Sequence, residues 1–262
     1  RPHFCHTDLT FQYNRDGRQM NVFGNPVKLR RTARPFSALS AWWLLVPLAP
    51  LFLTVVVIGA GYTIAGGTNP EFPPQFPTLV YGVSNVVIVG ILYLHLSEAV
   101  WQSSALFRRP SSREVGAGIV ATVAGVAVGW PLTTLVAEVA TVPRYAVPSL
   151  TSPFGIGALF FGSVIVAPVA EELLFRGLFL GFVLDREYGP AIAGGSSLVV
   201  FAGIHVFTAG LAGVVNALLL GALLTWLRLR FDNLAGAWLM HLLNNLLEFL
   251  IAVSLAPSLY AL

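Results

Sequence analysis

The chain has 262 residues, of which 56% are hydrophobic and only 10% are charged, with a net charge of +3. A soluble domain usually carries about 25% charged residues. The composition therefore excludes an ordinary soluble domain and implies an integral membrane protein, all-α because lipid offers backbone groups no other partner. The single Cys5 excludes an internal disulfide framework.

Residues 1–40 are polar and show no sustained period. Seven of the fifteen Lys and Arg lie there. Four of them, Lys28, Arg30, Arg31 and Arg34, stand just before the first apolar run. That placement reads as a cytoplasmic flank at the membrane and not as a nucleic-acid surface. His3, Cys5, His6 and Asp8 lack the second spaced pair that a zinc site needs. Arg1 is not an initiator, and Met20 is a candidate start. No secretory signal is evident, because the first apolar run is too long and has no small-residue cleavage site.

Seven spans are expected, making a polytopic transmembrane helical bundle. The first covers residues 41–65, with Trp42 and Trp43 at the interface and Pro47 and Pro50 predicting a kink or a late start. Residues 66–77 form a loop without Lys or Arg. The second span covers 78–101, and the loop after it carries Arg108, Arg109 and Arg113, an inside signal. The third covers 115–139, with Gly and Ala spaced for close packing. Residues 140–153 read as an outside loop. The fourth element, 154–184, is longer than the roughly 20 residues a span needs. Asp185, Arg186 and Glu187 mark the return to the cytoplasm. The fifth span covers 191–207, the sixth 211–227 with Arg228 and Arg230 at its inner end, and the seventh 234–255. An eighth element could hide in the long fourth segment or in residues 1–40. With the N-terminus inside, seven spans put the C-terminus outside. The chain thus divides into a polar segment (1–40), a first set of helices (41–149) and a C-terminal core (150–255).

That core holds the chemistry. Glu171, Glu172 and Arg176 stand inside an apolar run, where a charged side chain costs several kcal/mol unless it faces a partner or a wet cavity. Glu172 and Arg176 are four apart and share one helix face, so they can neutralise each other. Glu171 lies about 100° around the helix, left without a partner in its own helix. A carboxylate taken out of water beside another holds its proton more tightly, which suits a general base or acid. The bland reading is a buried ion pair with Glu171 at a wet helix end. Downstream, Phe201 and His205 share one face of the fifth span, and His241 and Asn245 share one face of the seventh. Alone, each His reads as a packing residue and Asn245 as interhelical glue. Glu248 lies on the face of His241 and Asn245 and lines the same cavity if that face is wet. Asn85, His95, Glu98 and Asn216 read as interhelical or interfacial polar groups.

Taken in order, Glu171-Glu172-x-x-x-Arg176, Phe201-x-x-x-His205 and His241-x-x-x-Asn245 resemble the CPBP family. Its name joins CAAX proteases and bacteriocin-processing enzymes, and it includes the Ras-converting CAAX endopeptidase. The resemblance covers about residues 150–255. It implies an intramembrane endopeptidase acting on a membrane-associated substrate, with prenylated CAAX tails as one class. By that resemblance Glu171 and His205 activate water, and His241 and Asn245 stabilise the oxyanion. Glu172 and Arg176 fix the helix and the cavity charge, and Phe201 lies with the substrate. No cofactor is implied by a glutamate mechanism. A metalloprotease alternative would put zinc on Glu171, His205 and His241, although Asn is a poor zinc ligand and no His-Glu-x-x-His stretch occurs. Two other classes compete: a non-catalytic immunity or scaffold protein of the same fold, and a proton-coupled transporter. A scaffold needs no oxyanion donors, and a transporter often shows matched broken helices in two halves, whereas here the polar residues cluster in the C-terminal half.

Overall fold

The computed structural model describes residues 35–64, 76–104, 107–139 and 152–250. The cluster of His3, Cys5, His6 and Asp8, the start at Met20, most of the two loops expected around residues 70 and 146, and the last span beyond Leu250 lie outside them. Among the described residues there is no strand. The protein is an all-α membrane bundle. Helix α1 follows a 3₁₀ stretch at Ala41–Leu48 and runs Ala49–Ile64; α2 is Phe76–His95 and α3 is Glu98–Ser104. Then come α4 at Ser112–Val139, α5 at Pro153–Asp185, α6 at Pro190–Ile204, α7 at Val206–Phe231 and α8 at Ala235–Leu250.

Five helical stretches are long and apolar enough to cross a bilayer: Ala41–Ile64, Phe76–His95, Ser112–Val136, Pro153–Asp185 and Gly210–Phe231. Their outward faces carry Phe52, Ile64, Leu94, Val120 and Phe154, all largely exposed. An apolar exterior of that extent belongs against lipid. The interior contains the charge instead: Glu171, Glu172, Arg176 and His241 are all buried.

Three sequence expectations need correction. The second span ends at His95, and Trp101 belongs to the separate helix α3. The first loop stops short of Phe76, where α2 begins. The third concerns depth. Counting from the polar flanks suggests that Glu171 is shallow and His205 deep, unless residues 189–195 are loop. They are helix: α6 starts at Pro190, with Gly189 as its N-cap, and Pro at the first position needs no backbone donor. The levels agree for another reason. Glu171 lies 14 residues before the end of α5 at Asp185, and His205 lies 15 after Pro190. At 1.5 Å per residue, both stand about 21–23 Å from the same connection. Past the end of α6, Gly210 near the start of α7 has a φ of 60°, the left-handed conformation that glycine adopts freely.

Close approaches set the rest. Helix α2 crosses α5 at backbone contact: a Cβ at Gly162 would stand 2.7 Å from the Thr78 carbonyl oxygen, and one at Gly82 would stand 2.9 Å from the Gly162 Cα. Helix α8 is fixed at its start by α4. The buried Glu114 carboxylate accepts from Gly236 N at 2.8 Å and from Asn233 Nδ2 at 3.1 Å, an anion on the donors that a helix N-terminus leaves open. The sequence signal of small residues in α4 is met here, since Gly118 packs against the backbone of Gly236.

Candidate active site

Helix α5 is not uniformly α. It widens to π geometry at Phe160–Val166 and again at Glu172–Phe179, a feature often found at functional sites. Local sequence explains one consequence. In the first π stretch Ala167 N bonds Gly162 O, five residues back. In that register Ser163 O would receive the N–H of residue 168. That residue is Pro168, which has none. Asn245 supplies the missing donor: its Nδ2 donates to Ser163 O at 2.8 Å. In the second stretch Ser197 Oγ donates to Phe175 O at 2.9 Å, and Arg228 Nε donates to Arg176 O at 3.3 Å. Side chains of α6, α7 and α8 thus clasp α5 by its carbonyls.

The three charged residues separate as the helix spacing predicts. Glu172 and Arg176 form an enclosed ion pair, Nη1 to Oε1 at 3.1 Å, with both side chains at 0% exposure. Arg176 Nη2 also donates to Gly221 O at 3.3 Å, and its guanidinium lies 4.0 Å over the Phe201 ring. Glu171, one position earlier, turns elsewhere. Its Oε1 accepts from the Tyr81 hydroxyl at 3.0 Å, and its Oε2 lies 3.8 Å from His241 Nε2.

His241 lies between the two acids and bonds one of them. Its Nδ1 is 2.9 Å from Glu172 Oε1. A carboxylate accepts, so Nδ1 carries the proton and Nε2 faces Glu171. Glu172 therefore orients a histidine as well as neutralising Arg176, a role that helix spacing alone does not reveal. His205 closes α6 with φ −72° and ψ −10°. Its Nδ1 is 2.8 Å from Phe201 O; a carbonyl only accepts, so that nitrogen is also the N–H and Nε2 is the basic atom of the neutral ring. Phe201 is wholly enclosed. Its ring meets Phe175, His205 and His241 with centroids 5.2, 4.8 and 6.1 Å away. It is the platform under the polar groups, whereas the sequence places it with the substrate.

The seven residues singled out from the sequence thus gather on α5, α6 and α8. Asn245 joins them through the backbone of α5. Glu248 bonds Asn244 Nδ2 at 2.9 Å, and Asn85 bonds its own helix at Tyr81 O. Among the described residues, no three His, Cys, Asp or Glu side chains converge as a metal-ion ligand set. Glu171, His205 and His241, the set a zinc enzyme would use, do not form such a group in this arrangement. Tyr81 is the residue that sequence reasoning misses. It is 90 positions from its partner, and nothing in its own stretch marks it.

Residues 153–247 match the family described as Type II CAAX prenyl endopeptidase Rce1-like. This bears out the resemblance read from the three motifs, and the matched segment contains all of them. No curated protein and no solved structure was found to match the chain.

Proposed function

We propose that this membrane protein is an intramembrane endopeptidase that hydrolyses a peptide bond in a membrane-associated substrate, with Glu171 as general base and no metal. The observation that carries the reading is the division of labour between the adjacent acids. Glu172 is consumed by Arg176 and His241, while Glu171 Oε2 faces His241 Nε2 across 3.8 Å. That gap is too long for a direct hydrogen bond. A water beside it would lie within reach of both atoms.

In the mechanism, Glu171 takes a proton from that water as the oxygen attacks the scissile carbonyl, and His205 Nε2 assists from the end of α6. As negative charge develops on the carbonyl oxygen, His241 in its protonated form donates through Nε2, steadied by Glu172 at Nδ1. Asn245 has two amide hydrogens; one is given to Ser163 O, and the other serves the oxyanion. Donors held ready for the developing charge are each worth roughly 3–4 kcal/mol. Glu171 then passes its proton to the leaving amine. Prenylated CAAX-type peptides are the first substrate class to try, given the family match. The proposed orientation puts the N-terminus in the cytoplasm, on the strength of Lys28, Arg30, Arg31 and Arg34 before the first span and Arg108, Arg109 and Arg113 after the second.

The test is cleavage of a panel of membrane-anchored peptides, prenylated and not, by purified protein in lipid nanodiscs. Wild-type protein should cut at least one, and Glu171→Gln should abolish cutting while leaving the thermal midpoint near wild type. A Gln variant as active as wild type sinks the glutamate mechanism.

A further inference from the structure

The most informative polar contact outside the matched segment is made by Tyr81 on α2. Its hydroxyl donates to Glu171 Oε1 at 3.0 Å, whereas the other oxygen, Oε2, is the one turned to His241 Nε2. The two oxygens of a carboxylate are chemically equivalent until something distinguishes them. Here a phenol holds one and leaves the other for the reaction. We propose that Tyr81 is a positioning residue for Glu171, a fixed donor from α2 that selects which carboxylate oxygen, at which angle, meets the water.

Three features make the contact more than an incidental satisfied hydroxyl. First, Tyr81 is next to Gly82, at the point where α2 and α5 touch through backbone. The Gly82–Gly162 approach, with its 2.9 Å limit for any added Cβ, holds the phenol at a set distance from α5. Second, α2 is anchored on its other side: Thr54 Oγ1 of α1 lies 3.2 Å from Ser84 Oγ. Third, no group on α5 itself supplies a donor to Glu171, since Arg176 Nη1 goes to Glu172 and Nη2 to Gly221 O. Losing the phenol would leave the base free to turn about its terminal torsion, which is broad for a carboxylate. The proposal rests on the reading of Glu171 as the base. It extends the functional unit beyond residues 153–247 to a helix that carries none of the motifs.

The experiment uses the full chain, the best-cleaved peptide of the wild-type panel, and Tyr81→Phe. That variant removes one oxygen and keeps the ring. The expected result is a fall in kcat of about tenfold, the scale of one hydrogen bond to a charged group, with KM within about twofold and the thermal midpoint close to wild type. A merely structural tether would instead lower the midpoint without this kcat–KM split. Wild-type kcat in Tyr81→Phe, or a kcat loss matched by unfolding, overturns the proposal. Infrared difference spectra give a second reading that needs no turnover. Tyr81→Phe should shift a carboxylate band in the wild-type background and not in the Glu171→Gln background. If the wild-type protein cuts nothing, the peptidase reading fails, and this band shift alone decides the contact. Identical spectra in the two backgrounds reject it.

Discussion

Replacing Arg176 by Met should be among the most damaging single changes in the protein. The side chain is fully enclosed and holds Glu172 Oε1, Gly221 O and the Phe201 face. Met keeps most of the volume and removes the charge, so the main effect is to strand the Glu172 carboxylate in an apolar interior. Breaking a buried pair in this way costs about 3–5 kcal/mol. At roughly 2–4 °C per kcal/mol for a body of this size, the thermal midpoint in detergent should fall by about 6–20 °C. The pair is not fully satisfied, because Glu172 Oε2 and Arg176 Nε have no hydrogen-bond partner. A neutral replacement of both members should therefore be tolerated better than loss of one. Glu172→Gln with Arg176→Met keeps an amide oxygen for His241 Nδ1 and removes the stranded charge. That double variant should regain most of the lost midpoint while remaining poorly active, since His241 loses its carboxylate. The assay is thermal unfolding of wild type, both singles and the double under one set of conditions. A wild-type midpoint for Arg176→Met, or a double variant less stable than either single, refutes the ion-pair account.

Two further outcomes follow from the same geometry. Dialysis of the wild-type protein against a membrane-compatible chelator should leave peptide cleavage intact, and metal analysis should find far less than one zinc per chain; stoichiometric zinc whose removal stops turnover and whose return restores it would overturn the metal-free assignment and move Asn245 to a supporting role. Pro168→Ala should give Ser163 O an N–H from its own helix, making Asn245 dispensable for stability: Asn245→Ala should cost about 1 kcal/mol or more in the wild-type background and markedly less beside Pro168→Ala, a coupling that a double-mutant cycle reads directly.

The bundle was legible because its signals are local. Long apolar runs, basic flanks and turn residues depend on neighbours in sequence, and they place the Ala41–Ile64 stretch, α4, α5 and α7 to within about five residues. The errors fell where local signals are ambiguous. His95, Ser97 and Glu98 flank the break at Leu96–Ser97, but three polar residues in an apolar run read equally well as interhelical or interfacial groups of one continuous span. The stretch Gly189-Pro190…Gly194-Gly195 is rich in residues that disfavour helix, yet α6 runs through it. Gly194 lies against Thr225 and Leu229 of α7, so its lack of a side chain serves close packing and tertiary contact overrides propensity.

The site divides along the same line. The pairing of Glu172 with Arg176 could be derived from a four-residue spacing, and the structure puts it where the spacing says. The union of Glu172 with His241 spans 69 positions, and that of Tyr81 with Glu171 spans 90; neither distance leaves a periodic trace. Asn245 is the instructive middle case. Read alone, it is interhelical glue; read with His241, it is the oxyanion donor of the proposed mechanism. The two readings are compatible once Pro168 is counted. A proline in α5 removes one backbone donor, the π register passes that deficit to Ser163 O, and one amide hydrogen of Asn245 makes it good. The bond fixes the side chain's torsions, so the direction of the second hydrogen is set by α5 itself. In the proposed mechanism, a helix defect beside the two acids thereby orients a donor on another helix toward the developing oxyanion.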